Sequence, residues 1–557
     1  MDNYAIAENF SLLGKLMDIH GENSFKTKSY SVAAYTIEKL PSALSDLPAD
    51  KIFAIRGIGK TIGEKIVEQI ETGELQLLND YLANTPPGII EMLNIKGIGP
   101  KKISTIWKEL EIETLGELLY ACNENRLMLY KGFGEKTQQN IKEGIEFYLG
   151  SLGNYLYQQI EHFAGNVTAK MQALFPKEKF TITGAFRRQL EIIEKLEWVT
   201  TINKQVLIDF LTKHQFDLVD DDGDYASFVG KENVTLGFYC VSEENFYSTL
   251  FTTSCSSEFL NNWHTHTNWD ETANYESEEA IFEATNVAFI PAYLREDASV
   301  IEQAKSNSLP TIITPKDIKG IIHSHSKWSD GVNTLEEMAI AAQQQGYEYL
   351  VISDHSKTAF YAQGLPEEKI AAQHSQIAEI NARMAPFKIF KSIESDILGD
   401  GSLDYDTDVL KTFDVVIASI HSNLKMSEEK AMMRLINAIE NPYTSILGHM
   451  TGRLLLSRGG YPVDHIKIID ACAANNVVIE LNAHPRRLDI DWRWIKHALD
   501  KNVLISINPD AHAIDGYADC KYGVLVAQKA GLTAAKNLSS FSLAQFEAFV
   551  AIQQSKR

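Results

Sequence analysis

Nine residues able to ligate a divalent metal ion recur between positions 320 and 512: His323, His325, Asp330, His355, Glu394, His421, His449, Asp510 and His512. Imidazole and carboxylate without thiolate suit Zn²⁺, Mn²⁺ or Fe²⁺. Nine ligands exceed the needs of one ion, so two or three divalent ions are expected, with Glu394 as their bridge. Closely spaced ions can bind a phosphodiester oxygen, lower the pKa of a water toward ~7 and stabilise the leaving oxygen. The chemistry expected is hydrolysis of phosphate esters. Asp354 and Asp396 read as groups standing behind the ligands. Arg453, Arg486 and Arg487 are either phosphate clamps or solvated charges, and Arg453 is placed with Glu394 among the catalytic residues. For His484 a structural role and a substrate contact are both open. His264 and His266 form another His-x-His pair with no ligand cluster around it, and read as surface residues.

The residues that must position this set form seven short apolar runs: GIIHSH (320–325), YLVISDH (349–355), FKSIESD (390–396), VVIASIH (415–421), SILGH (445–449), VVIELNAH (477–484) and VLISINPDAH (503–512). Helix-patterned segments separate them, which implies a parallel sheet. Functional residues at the C-terminal ends of successive parallel strands imply a barrel with its site on that face. These HSH, SDG, SDH, glutamate, HS, GH and DAH elements, in this order, resemble the PHP (polymerase and histidinol phosphatase) family. The resemblance implies a distorted TIM-like (β/α)7 barrel. Ile321 and Pro509 stand where the family often has an aspartate and a hydroxyl residue. Neither is a ligand, so the departure touches the surroundings of the ions.

The chain has 557 residues and 45% of them are hydrophobic, enough for several cores, since one core rarely exceeds ~250–300 residues. Five scattered cysteines without a CxxC pair suit a reducing cytoplasm. The acidic amphipathic start does not read as a signal peptide, and no run is long enough to span a membrane. A net charge of −22 excludes a diffuse electrostatic attraction to nucleic acid, so any such contact must be local.

Local contacts of that kind are offered near the N-terminus. FAIRGIGKTIGEKIVEQI places Gly57, Gly59, Lys60 and Lys65 in a turn and the helix after it. MLNIKGIGPKKISTIWKEL repeats the unit with Gly97, Gly99, Lys101 and Lys102, and adds Lys96 and Lys108. YKGFGEKTQQNI, with Gly132 and Gly134, is a weaker third copy. Glycines allow the sharp turn, and amides at the helix start can then face a phosphate oxygen. The repeats resemble the helix-hairpin-helix motif, which grips DNA backbone without reading sequence. Lys65 aligns with a lysine that forms a Schiff base in related polymerases, but its neighbours offer no pKa-lowering partner and it reads as a helix-surface residue.

TGAFRRQLEIIEKLEWV (183–199), VTLGFYCVSEENFYSTLFTTS (234–254) and IPAYLRED (290–297) extend the resemblance to bacterial family X DNA polymerases fused to a PHP domain. The layout implied is a multidomain chain. It comprises a helix-hairpin-helix, lyase-like domain at 1–80, a fingers-like helix-hairpin-helix region at 81–150 and an α+β palm at 151–250. A thumb-like domain and linker follow at 251–315, and a PHP metallophosphoesterase domain at 316–557. The palm departs from the family where its metal carboxylates belong: those positions hold Lys195, Glu197 and Thr235. A lysine there puts positive charge where a dication should sit, so loss of polymerisation is expected. The acidic run Asp220, Asp221, Asp222 and Asp224 reads as a solvated turn.

The resulting expectation is a DNA-binding, metal-dependent phosphoesterase of DNA repair. It would be a 3′–5′ exonuclease or a processor of DNA ends and abasic sites, acting in the cytoplasm on gapped DNA or 3′ ends. A polymerase working through unconventional ligands and a small-molecule PHP phosphatase are the alternatives. A noncatalytic DNA-binding scaffold would leave the full ligand set unexplained.

Overall fold

The computed structural model describes residues 2–123, 127, 130–151, 153–231, 233–456 and 459–557, which divide into two compact units, 1–152 and 153–557.

The first unit is helical. Its opening helix, Asn3–His20, buries Ile6, Phe10, Leu13 and Met17 on one face, is capped by the Asp2 carboxylate, and stops at Gly21 with φ 87°. The three Gly-x-Gly turns share one conformation. Gly57, Gly97 and Gly132 have φ of 93°, 92° and 94°, a region glycine enters without steric cost. Ile58, Ile98 and Phe133 point inward from the turns and are buried, and helices begin at Lys60, Pro100 and Glu135. The third copy, the weakest in sequence, is thus the same turn with Phe133 in place of isoleucine.

The second unit opens on a five-stranded sheet. Its order is Phe180–Thr183, Lys195–Thr200, Thr235–Cys240, Tyr225–Val229 and Asp217–Asp222, antiparallel except where Lys195–Thr200 pairs with Thr235–Cys240. Trp198, stacked on Phe180 and Phe238, fills the face toward the helices Tyr157–Leu174 and Lys204–Lys213. One expectation is corrected here: Asp220, Asp221 and Asp222 lie in an edge strand, not a turn, and Asp224 alone belongs to the turn. Gly223, at φ 52°, closes a tight hairpin that pairs the acidic run with Tyr225–Val229. Every residue of that strand is exposed, and its charge discourages pairing with another chain. The helices that follow pack around Phe251, Trp263 and Phe282, with a fully buried Arg295 paired to Glu278 at 2.5 Å.

The stretch expected to end in a linker, 251–315, is fastened to the last domain at Ile313. Ile313 is buried, and its backbone N–H and carbonyl bond Leu532 O and the Gln528 amide. From Gly320 onward, seven parallel strands lie side by side in chain order: Gly320–Ser324, Tyr349–Ile352, Lys388–Asp396, Val415–Ser419, Ile446–Leu447, Val478–Asn482 and Ile505–Asn508. Their alternating connection to helices matches the β/α pattern of the sequence. A parallel bridge between Ser324 and Ala511, with His325 N–H donating to Ala511 O at 2.8 Å, brings the first strand back to the last. The C-terminal helix Leu543–Gln554 sets Phe546, Phe549 and Val550 against Tyr349, Val415, Ile446 and Val478, which lie at the starts of the strands. That end is filled with apolar side chains, and the polar strand ends face the other way.

Candidate metal centre and nucleic-acid interface

All nine metal-ligand candidates gather at the C-terminal ends of the barrel strands. Glu394, at the end of the third strand, lies at their centre and is fully buried. Its Oε1 lies 3.3 Å from His323 Nε2, 3.1 Å from His421 Nε2 and 3.0 Å from His449 Nε2. Its Oε2 lies 3.6 Å from His325 Nε2 and 3.0 Å from His355 Nδ1. Asp510 Oδ1 faces His325 Nε2 at 3.1 Å and His323 Nε2 at 3.5 Å. Asp330 Oδ2 faces His355 and His512 Nε2 at 3.6 and 3.4 Å. Three overlapping groups result: His325–Asp330–His355–His512, His323–His325–Asp510 and His355–Glu394–His421, each with ligand atoms within 4.8 Å of one another.

Buried groups at this centre fit divalent ions. His323 Nε2, His325 Nδ1 and Glu394 Oε2 are inaccessible to solvent and, among the described residues, make close N···O contacts with one another's groups but no well-aligned hydrogen bond, a costly state for buried polar atoms. His323 and Asp510 also adopt φ of 64° and 53°, a left-handed backbone that these side chains reach only at a cost, and which concentrates at functional sites.

The charges interlock. Burial disfavours the charged form of His323, yet Glu480, Asp510 and Glu394 hold its pKa well above the usual imidazole value. Burial acts likewise on His421, which Glu394 and Asp396 raise to about 10, and on His512, which Asp330 and Asp510 raise to about 9. His325 goes the other way, to about 3, through burial and the neighbouring His512 and His355. Burial opposes the charge of Glu394 and Asp510, but the surrounding imidazoles keep both carboxyls well below their usual range.

Behind the candidate ligands stands a layer of hydrogen-bonding groups. Asp396 Oδ1 receives His421 Nδ1 at 2.5 Å, as expected of a group behind the ligands. Asp354 takes bonds from the backbone and hydroxyls of Ser326 and Ser329 and from the Gln373 amide, fixing the loop that carries Asp330. Glu480, which was not anticipated, receives His323 Nδ1 at 2.6 Å and also bonds the His449 amide and the Asn482 and Asn508 side chains. Its signal was an acid inside the apolar run VVIELNAH. Such partners raise the basicity of a ligating imidazole and fix its tautomer. Glu480→Gln and Asp396→Asn are each expected to weaken metal binding about 10–100-fold, read as the free-metal concentration that restores half-maximal activity.

Arg453, expected among the catalytic residues, lies in a network of backbone and carboxylate partners. Three of its five N–H donors go to Arg487 O, Leu488 O and the Asp491 carboxylate, the last at 2.6 Å, so it holds the 487–491 segment. Arg487 is the arginine beside the centre, its Nε 3.6 Å from Asp510 Oδ2 and its side chain 20% exposed. Arg486 is exposed, and His484 Nδ1 accepts the Arg486 amide, which favours the structural reading of that histidine. His264 and His266 end a helix at the surface, as expected.

In the palm, Lys195 and Thr235 are directly paired across parallel strands. Lys195 Nζ lies 2.8 Å from Glu197 Oε1, which also accepts the Tyr239 hydroxyl at 3.0 Å. Burial opposes the ammonium charge, but Glu197 more than compensates and keeps the Lys195 pKa above the ordinary lysine value. A Cβ at Gly184 would lie 2.3 Å from Glu197 Oε2, so the carboxylate is also packed against backbone. The neighbouring Arg187 is paired with Glu278 through two contacts of 3.0 and 2.6 Å, and Arg188 with Glu296 at 2.6 Å.

At the helical hairpins, Gly59, Gly99 and Gly134 immediately precede their helices, and among the described residues no atom beyond the adjoining ones lies within 4 Å of where a Cβ would be. Their flanks are open to an approaching backbone. Lys60 and Lys101 are exposed, while Lys102 is half-buried with Nζ 5.9 Å from the Phe133 ring. Lys65 pairs with Glu68 at 2.5 Å on the helix surface.

Comparison with known proteins agrees with both halves. A helix-hairpin-helix domain model matches residues 1–75, and a SAM-like helix-hairpin-helix tandem model matches residues 89–146. The DNA polymerase/3′-5′ exonuclease PolX of Bacillus subtilis (strain 168) is 33% identical over 563 aligned positions, covering 96% of both chains. A probable phosphatase of Thermoanaerobacter sp. (strain X514) is 26% identical over 222 residues, covering 38% of this chain and 86% of the relative. One from Caldanaerobacter subterraneus subsp. tengcongensis is 29% identical over 165 residues, covering 29% of this chain and 60% of the relative. With a whole-length relative of this kind, tandem helical hairpins and a seven-stranded parallel barrel, the chain belongs to the bacterial family X DNA polymerases that carry a C-terminal PHP domain.

Proposed function

We propose that this chain is a DNA-repair nuclease that removes nucleotides from 3′ ends at its PHP barrel and no longer polymerises. The observation that carries the reading is Glu394, whose two carboxylate oxygens face five imidazoles between them. His323, His325, Asp330, His355, Glu394, His421, His449, Asp510 and His512 would hold two or three ions of Mn²⁺, Zn²⁺ or Fe²⁺. Bound ions of this kind supply Lewis acidity to the phosphoryl oxygens and acidify water. The protein's own part is to fix the ligands through Asp396 and Glu480, to exclude bulk water, and to bring Arg487 to the phosphate. Arg487 is put ahead of Arg453 in that role because its guanidinium lies beside Asp510.

The division at 1–80, 81–150, 151–250, 251–315 and 316–557 is proposed as the working layout. Gly57, Gly59, Lys60, Gly97, Gly99, Lys101 and Lys102 would grip the backbone of gapped DNA or of a strand with a free 3′ end, with Lys65 on the same helix as Lys60. The match to a polymerase/exonuclease supports DNA as substrate over a small phosphomonoester, and the five buried free cysteines suit a cytoplasmic protein. Loss of polymerisation rests on the Lys195–Glu197–Tyr239 network, which puts an ammonium where nucleotidyl transfer needs a dication.

The test is a labelled primer–template incubated with Mn²⁺, with and without nucleotides. The expected result is a shortened primer under both conditions and no extension. A His323→Ala, His325→Ala variant should leave the primer intact. Extension by the parent would contradict the reading of the palm. Undiminished shortening by the variant would remove cutting from the barrel.

A further inference from the structure

Phe360 is 85% exposed, although the segment that carries it is tied down on both sides. Residues 356–365 leave the second barrel strand immediately after His355. The two stems of this segment are joined where Leu365 N–H donates to His355 O at 2.8 Å. They pack so closely that a Cβ at Gly364 would lie 1.8 Å from Ser356 O. Lys357 N–H donates to the Tyr405 hydroxyl at 3.1 Å, and that hydroxyl donates to Leu365 O at 2.5 Å. Thr358 N–H donates to Asp404 Oδ2 at 2.7 Å, and the Thr358 hydroxyl reaches both Asp404 and Asp396 Oδ2 at 2.9 Å. Asp396 is the carboxylate that receives His421 Nδ1 through its other oxygen. The stem of the Phe360 segment and a ligand imidazole therefore hang on one side chain.

Two residues reach at most about 7 Å, so the Phe360 backbone lies within that distance of Thr358, whose hydroxyl bonds Asp396 at the C-terminal end of the third strand. A large apolar ring in water on a fixed stem forgoes burial that the hydrophobic effect would reward. A flat π face beside a centre that cuts polynucleotide suits one occupant above others, because every base offers a face to stack on whatever its identity. We propose that Phe360 stacks on a base next to the scissile phosphate and holds the end of the strand over the ligand cluster. The proposal rests on the reading of the barrel as a DNA-cutting site. It makes Phe360 a substrate-positioning residue that is indifferent to sequence.

The test compares the parent, Phe360→Ala and Phe360→Trp with Mn²⁺ on a single-stranded oligonucleotide and on the same strand lacking its last two 3′ bases. Phe360→Ala should raise KM about 5–100-fold on the complete strand, with kcat within about twofold of the parent, and Phe360→Trp should restore KM. On the strand without terminal bases the three proteins should agree within about twofold. Bound metal per chain should be the same in all three. An unchanged KM for Phe360→Ala on the complete strand would overturn the stacking role while leaving the nuclease reading intact. So would an equal rise on both strands, as a protein-docking or purely structural ring would give, or a loss of bound metal. A parent that cuts neither strand would overturn the nuclease reading and this inference with it.

Discussion

Glu394→Gln is expected to lower the rate of DNA shortening by about 10³-fold or more while leaving the fold intact. The side chain keeps its size, so packing at this fully buried position is conserved. What changes is ligation. A carboxylate can give one oxygen to each of two ions; an amide keeps one oxygen and turns an N–H₂ donor toward the other. Because Oε1 faces His323, His421 and His449 while Oε2 faces His325 and His355, both halves of the cluster lose coherence at once. The checks are single-turnover digestion of a labelled strand, metal content, and circular dichroism to verify folding. A variant retaining more than about a tenth of the parent rate would show that the bridge is dispensable.

Chelation is expected to have the second large effect, abolishing digestion and lowering the unfolding temperature of the PHP domain by about 10 °C or more. An ion present at 1,000 times its dissociation constant stabilises by ~4 kcal/mol. For a domain of this size each kcal/mol shifts the midpoint by about 2–4 °C. The pH dependence should also separate the two forms. In the metal-free protein His421 and His512 have pKa values raised from 6.5 to about 10 and about 9, so their contribution to stability is complete below pH 6.5 and is lost as pH rises through those values. Between these limits the native state binds more protons than the unfolded state, and stability falls with pH. His325, lowered to about 3, contributes the opposite slope in acid, between pH 3 and 6.5. The metal-loaded protein needs the same imidazoles deprotonated, so its affinity for metal rises with pH across the alkaline window. Thermal melts with and without chelator from pH 6.5 to 10 should therefore diverge. Parallel curves would show that the imidazoles do not exchange protons for ions.

The cluster of candidate ligands was legible because all but Asp330 lie in apolar runs that end on barrel strands, and strand order in a parallel barrel follows chain order. Glu480 was not legible as a partner. It stands 157 residues from His323, and only the curvature of the sheet brings the two within 2.6 Å. The partners of Arg453 were not legible for a related reason: an arginine near a strand end has the right chemistry for phosphate. Whether it points at solvent, substrate or a neighbouring carbonyl depends on a loop path that no local pattern encodes. The acidic edge strand Asp217–Asp222 was hidden by its composition, since strand propensity is weak wherever a face has nothing to bury. In the palm, Lys195, Glu197 and Thr235 were legible residue by residue at the positions where metal carboxylates are expected, but not the contact between them. The pairing of Lys195 with Glu197, and its reinforcement by Tyr239, needed the register of the parallel strands.

The decisive measurement is anomalous diffraction from crystals of the full chain grown with Mn²⁺. The structure should show two or three peaks among His323, His325, Asp330, His355, Glu394, His421, His449, Asp510 and His512, with Glu394 oxygens bound to more than one ion. A single ion elsewhere, or none within coordinating distance of Glu394, would contradict the account at its root.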